Sequence, residues 1–191
     1  VPASEAIPAD HLRPNQLFAL AGPVPLTSAV RLSKLDHAGR PCLFLDRDGV
    51  LVEEVNYLHR TADVAFIPGV IEAIAAANAA GIAVVMVTNQ AGIGRGYYDW
   101  QQFDAVQAFI FEHCSRNGAN YDMALACGTH PDGKGPFAVE DHLWRKPLPG
   151  MLQTAARELG IDLTRSHIVG DMLTDLEAGA RAGLPGGRVV A

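Results

Sequence analysis

Four short apolar runs, Cys42–Leu45, Ile82–Val87, Tyr121–Ala126 and Ser166–Val169, alternate with stretches of helical periodicity, and this alternation narrows the possible folds more than any other feature. Short apolar runs bounded by polar residues or glycine read as strands buried on both faces, the situation of a parallel sheet. Between them, Val70, Ile71, Ile74, Ala77 and Ala80 recur at helical spacing before Gly81. Phe103, Val106, Ile110 and His113 share one face of a helix expected over 100–117. Two more helices are expected over Met151–Leu159 and Thr174–Ala182, each closed by a glycine. Parallel strands joined through helices require right-handed crossovers that cover both faces of the sheet. The expected fold class is therefore α/β, a three-layer α/β/α Rossmann-like arrangement with a mostly parallel sheet. Ligands of such sheets bind beyond the carboxyl ends of the strands.

At 191 residues and 49% hydrophobic side chains, the chain suits one well-packed domain. Residues 1–40 carry five prolines and little periodicity, so they are set apart as an irregular leader that packs outside the domain or stays mobile; residues 41–191 form the domain. Arg188–Val190 is expected to supply the last strand. The apolar stretch Leu17–Ala21 is too short for a membrane span or a signal core, so no membrane partner is expected. A formal charge of -6 argues against a surface held on nucleic acid through its phosphates. Three widely spaced cysteines suit reduced thiols and hence the cytoplasm. We expect a monomer acting on a small anionic substrate.

Three of the four runs are followed at once by polar clusters: Asp46–Asp48, Thr88–Gln90 and Gly170–Asp175. The fold brings these clusters to one edge. In Asp46-Arg-Asp-Gly-Val50 two carboxylates stand two residues apart at a strand tip, with a glycine to turn the chain. A carboxylate attacks a phosphate dianion only if a cation screens the repulsion, and magnesium does so with few protein ligands. Asp46 then serves as nucleophile and Asp48 as the proton donor that later activates water. Thr88 either binds a phosphoryl oxygen or caps the next turn. Asp171 offers a further metal ligand. Asp175 stands behind it, or serves as an N-terminal helix acid. Arg145-Lys-Pro147 supplies positive charge in a segment kept from helix by its prolines. Gly92-Ile-Gly-Arg-Gly96 reads as a flexible turn beside the site.

The order Asp-x-Asp-Gly, Thr-Asn-Gln, Lys-Pro, Gly-Asp-x-x-x-Asp resembles the haloacid dehalogenase-like (HAD) phosphohydrolase superfamily. The longer strings Phe44–Val50, Val87–Gly96, Arg145–Pro147 and Gly150-Met-Leu are similar to those of the heptose-1,7-bisphosphate 7-phosphatases, with the histidinol-phosphate phosphatases as sister group. The resemblance covers about residues 42–183. It implies a Mg²⁺-dependent phosphatase acting on a small phosphorylated sugar through an aspartyl-phosphate. Asp46 would be the nucleophile. Asp48 would be the acid and, through its carbonyl, a magnesium ligand, beside Asp46 and Asp171. Thr88 and Lys146 would stabilise the transferring phosphoryl group, and Arg145, Glu54, Tyr57, Asn89 and Gln90 would contact substrate. Alternatives are histidinol phosphate, a polynucleotide 3'-phosphate, which the acidic balance disfavours, and a phosphate-binding module without turnover, which the retained Asp46 and Asp48 disfavour. The spacing of the motifs leaves no room for a large cap domain, so the loop 127–144 is expected to close the site.

Two departures from the resemblance stand out. In many of these phosphatases zinc staples that loop through Cys-x-His and Cys-x-Cys pairs; the matching positions here are Cys127, Thr129, His142 and Trp144, with His130 adjacent. Structural zinc requires four protein ligands, so instead of a Zn²⁺ site from Cys127, His130 and His142 we expect Trp144 and Phe137 to pack in its place. The second departure is at the carboxyl end, where relatives usually continue through another strand and a helix: either Arg188–Val190 supplies the last strand or the domain is incomplete there.

Overall fold

The computed structural model describes residues 25–33 and 37–190. Six strands, Thr27–Arg31 (β1), Cys42–Leu45 (β2), Ala83–Asn89 (β3), Met123–Cys127 (β4), His167–Gly170 (β5) and Gly186–Val189 (β6), form one sheet in the order β1-β4-β3-β2-β5-β6. All neighbours run parallel except β1, which lies antiparallel to β4. The helices are Val70–Ala79 (α1), Ala91–Arg95 (α2), Trp100–Arg116 (α3), Gly150–Leu159 (α4) and Leu173–Ala182 (α5).

Successive residues of a strand point to opposite faces, and here they sort into two cores. Phe44, Val85, Val87 and Leu125 pack with Met151, Leu152, Ala155 and Leu159 of α4 and Ala178 of α5. Leu45, Val84, Met86 and Ala124 pack with Ile74 and Ala77 of α1 and Val106 and Ile110 of α3. Ala83 to Val87 are wholly buried. Each such valine or methionine contributes about 1.5–3 kcal/mol, which is why the central strands are apolar throughout. α3 begins at a capping box: Asp99 accepts the Gln102 backbone N–H at 2.9 Å, and the Gln102 side chain accepts that of Asp99 at 3.1 Å. The three-layer α/β/α expectation holds, and among the described residues only loops and α2 stand over the carboxyl edge between the motifs.

Three expectations are corrected. The leader is not irregular throughout. Its Thr27–Arg31 forms β1, held in register with Met123–Cys127 and tied by the Trp100 indole N–H, which donates to the Pro25 carbonyl at 2.6 Å. Within the leader, residues 1–24 and 34–36 lie outside the described residues. The segment read as a flexible turn is the short helix α2, whose Gly92, Ile93 and Gly94 are buried. A β-carbon on Gly92 would fall 2.1 Å from the Tyr98 ring, so this glycine permits close packing. The last strand is Gly186–Val189, slightly earlier than Arg188–Val190. Among the described residues no helix is long and apolar enough to cross a membrane, and all three cysteines are free and buried.

The sheet order matters most for the site. β2 lies between β3 and β5, so the residues leaving their carboxyl ends, Asp46, Thr88 and Asp171, come out side by side.

Candidate active site

A cleft of about 350 Å³ opens over these three strand ends, lined among others by Asp46, Asp48, Glu54, Tyr57, Thr88, Asn89, Gln90, Lys146 and Asp171. At its floor the Lys146 ammonium lies 2.8 Å from Asp46 Oδ2 and 2.5 Å from Asp175 Oδ1, and donates to the Val87 carbonyl at 2.9 Å. Burial pulls this ammonium down, but Asp46 and Asp175 together raise it above the ordinary lysine value, so it stays charged. Burial pushes the Asp46 carboxyl up to about 6; Lys146 opposes that rise and Asp175 adds to it. Burial, then Asp175, likewise raise Asp171.

The Asp46, Asp171 and Asp175 carboxylates each bring an oxygen within 4.8 Å of the others, the one such group among the described residues. Hard oxygen donors gathered around a surplus of negative charge suit magnesium. Asp175 is wholly buried and already holds Lys146 and the Met172 backbone N–H, at 3.0 Å. It therefore orients the lysine, whereas Asp46, which holds Lys146 and accepts the Arg47 backbone N–H at 2.7 Å, and Asp171 are the partly exposed carboxylates that line the cleft and can face a cation. Gly49 lets Asp171 approach: its φ is +74°, and a β-carbon there would lie 2.7 Å from Asp171 Oδ2.

Asp48 is held from behind by a residue that sequence reasoning passed over. The buried Arg47 guanidinium grips it with both prongs, Nε to Oδ1 at 3.0 Å and Nη2 to Oδ2 at 2.8 Å. Gln90 donates to Asp48 Oδ2 at 3.0 Å and to the Thr88 hydroxyl at 2.8 Å, while its carbonyl accepts from Arg47 at 3.0 Å and from the Tyr98 hydroxyl at 2.5 Å. Arg47 occupies the variable place in Asp-x-Asp, where no motif marks it. Its signal would have been a basic residue directly behind a buried strand.

The expected substrate contacts divide. Glu54 lines the cleft, where partial loss of solvent and then the Asp48 and Asp171 charges raise its carboxyl. Tyr57 also lines it, at a φ of 61° uncommon for a side-chain-bearing residue, and its hydroxyl accepts from Arg95 at 2.6 Å. Gln90 lines the cleft but is only 2% exposed, and both ends of its amide are engaged inside the protein. Asn89 lines the cleft as well, and its amide brackets the Lys146 backbone, donating to the carbonyl at 3.0 Å and accepting from the N–H at 3.1 Å. Arg145 does not line the cleft; it donates to the Thr129 carbonyl at 2.7 Å.

The Cys127, His130 and His142 side chains do not converge on a point. Cys127 Sγ lies 3.2 Å from the Thr129 hydroxyl and 3.7 Å from His142 Nδ1, which accepts the Trp144 backbone N–H at 3.2 Å. His130 turns instead to Arg95, 3.0 Å from Nε2. Burial pushes the Cys127 thiol up. The packing expectation is corrected too. Phe137 joins Ile93, Tyr98 and Trp100, whereas Trp144 packs on the α4 side, so the two do not form one apolar plug.

The HAD-hydrolase-like family matches residues 143–189. A D-glycero-beta-D-manno-heptose-1,7-bisphosphate 7-phosphatase of Mesorhizobium japonicum is 50% identical over 150 residues, 78% of this chain and 69% of that protein. A D-glycero-alpha-D-manno-heptose-1,7-bisphosphate 7-phosphatase of Burkholderia mallei is 41% identical over 143 residues, 74% of this chain and 75% of the relative. Among solved structures, a HAD-like protein of Mesorhizobium loti superposes with a TM-score of 0.84 at 45% identity, covering 89% of this chain and 81% of its own. The D,D-heptose 1,7-bisphosphate phosphatase of B. bronchiseptica, complexed with magnesium and phosphate, gives 0.65 at 33% identity, covering 76% and 78%.

Proposed function

Since the chain belongs to the HAD-like phosphatases, in the heptose-1,7-bisphosphate 7-phosphatase family, we propose that it removes the 7-phosphate of D-glycero-D-manno-heptose 1,7-bisphosphate through an aspartyl-phosphate on Asp46. The observation that carries this reading is Asp46 on the cleft floor, paired with the buried Lys146 and facing Asp171.

A carboxylate oxygen of Asp46 attacks phosphorus, and the bond from phosphorus to the ester oxygen breaks. Asp48 gives its proton to the departing sugar oxygen. Water then attacks the phosphorus of the aspartyl-phosphate, Asp48 takes its proton, and the bond to Asp46 breaks to release phosphate. Lys146 offsets charge on the transferring oxygens, and Thr88 offers its hydroxyl to one of them. Asp175 and Asn89 hold Lys146, one by its ammonium and the other by its backbone. Asp46, Asp171 and the Asp48 carbonyl would hold magnesium, whose charge would screen the approach of an anion to a phosphate. Glu54 and Tyr57 face the sugar from the cleft wall.

Asp46→Asn is expected to abolish magnesium-dependent phosphate release, because an amide cannot serve as the nucleophile. Retained turnover would refute the covalent route. The substrate is tested by comparing heptose 1,7-bisphosphate with histidinol phosphate and common sugar phosphates. A preference of at least about tenfold in kcat/KM, about 1.4 kcal/mol of discrimination, is expected, and a flat profile would refute the narrower reading.

A further inference from the structure

We infer that Arg47 and Gln90 are positioning residues for proton donation, fixing the Asp48 carboxylate in one orientation and tying it to the phosphoryl-facing hydroxyl of Thr88. The inference rests on the reading of Asp48 as the group that protonates the leaving oxygen.

The first argument is energetic. Arg47 is 1% exposed, and its Nη1 has no hydrogen-bond partner. Burying a guanidinium costs more than burying an apolar side chain, and replacing buried ion pairs with apolar residues often leaves stability unchanged or higher. Stability alone therefore does not account for an arginine here. What a guanidinium offers that a hydrocarbon cannot is a planar fork, and both prongs are used on one carboxylate. The Phe103 ring lies 5.4 Å from the guanidinium carbon, limiting its movement on one side.

The second argument is the wiring of Gln90. Its two amide hydrogens go to Asp48 and Thr88, and its carbonyl receives Arg47 and Tyr98. All four places are filled, and a flipped amide would set its NH2 against the Arg47 N–H and its oxygen against the Asp48 carboxylate, losing both of those bonds. One nitrogen thus spaces the proton donor from the hydroxyl beside it. A proton donor contributes only if it reaches the leaving oxygen within hydrogen-bond distance, so this spacing bears on rate rather than on binding.

The test compares kcat/KM, which reports steps up to departure of the alcohol, on an alkyl phosphate and on p-nitrophenyl phosphate, whose leaving group needs little protonation. Arg47→Lys keeps the cation but cannot grip both oxygens; Gln90→Met keeps the volume but removes the wiring. Each is expected to lose about tenfold or more on the alkyl ester beyond its loss on the nitrophenyl ester, with KM changed less than about twofold. Equal losses on both esters, or none, would overturn the inference. Circular dichroism checks folding. If Arg47→Lys does not fold, Gln90→Met decides, and if neither folds, Tyr98→Phe, which deletes one hydroxyl, takes their place. Asp48→Asn separates the two levels: leaving-group dependence there with flat behaviour in the others overturns only the positioning role, whereas its absence in Asp48→Asn removes Asp48 as the acid.

Discussion

Gly49→Ala perturbs the metal site through a single methyl group. The new β-carbon would stand 2.7 Å from Asp171 Oδ2 and 2.8 Å from its Cβ and Cγ, against ordinary contact beginning at 3.4 Å. Asp171 or the 46–49 turn must therefore yield by about 0.6–0.7 Å, several times the ~0.2 Å tolerance of a metal–ligand distance. The positive φ of 74° adds a backbone cost of about 1–2 kcal/mol for any residue with a β-carbon. Gly118→Ala isolates that second cost, because Gly118 has a φ of 79° and nothing within 4 Å of its β-carbon position. Gly118→Ala is expected to lose about 1–2 kcal/mol of stability in urea titrations, and Gly49→Ala at least as much. Only Gly49→Ala is expected to weaken magnesium, by about 10–100-fold, the usual cost of disturbing what orients a ligand. The assay is calorimetric titration of magnesium, together with the magnesium concentration for half-maximal phosphate release. Unchanged half-saturation in Gly49→Ala, or an equal shift in Gly118→Ala, would refute the reasoning.

Further outcomes follow from other parts of the molecule. Burial, then Asp99, raise the Asp104 carboxyl to about 7, so the folded chain holds that proton more tightly than the unfolded chain, and stability falls as pH rises from about 4 to about 7. Asp104→Asn should remove this decline and exceed the wild type at pH 8 by about 1–2 kcal/mol; parallel pH profiles of unfolding would contradict it. Protein exposed to zinc and dialysed should hold none in stoichiometric amount by atomic absorption, since Cys127, His130 and His142 face different partners; one retained equivalent would sink that account. Trp100→Phe removes the bond to the Pro25 carbonyl and should cost about 1 kcal/mol, with faster amide exchange in β1, whereas unaltered exchange would show that the indole does not hold that strand.

What the sequence made legible follows from how locally each feature is encoded. β2 to β5 could be read because strands buried on both faces are apolar runs, and Asp46, Thr88 and Asp171 because each ends such a run or follows directly upon it. β1 could not. Thr-Ser-Ala-Val-Arg is a half-polar edge strand whose pairing partner lies about a hundred residues away. α2 was hidden by its glycines, which look like breakers until the Tyr98 and Tyr57 rings that need the space are in place. Lys146 was legible as a charge, but its hold by Asn89 was not, because Asn89 and Lys146 meet only when the loop after β4 folds back. The same holds for Gln90, whose partners come from β3, from the loop after β2 and from Tyr98 ahead of α3.

β1 carries a consequence outside catalysis. β4 is buried along its whole length, and β1 occupies the flank that β3 leaves open. Cut away, β1 would leave a flat row of unpaired amides bordered by Met123, Leu125 and Cys127, a template for pairing with another chain. A fragment started at residue 41, where the motifs begin, would keep every candidate catalytic group and lose this cover. Expression boundaries drawn around the chemistry would then yield aggregates, and solubility depends on a segment remote from turnover.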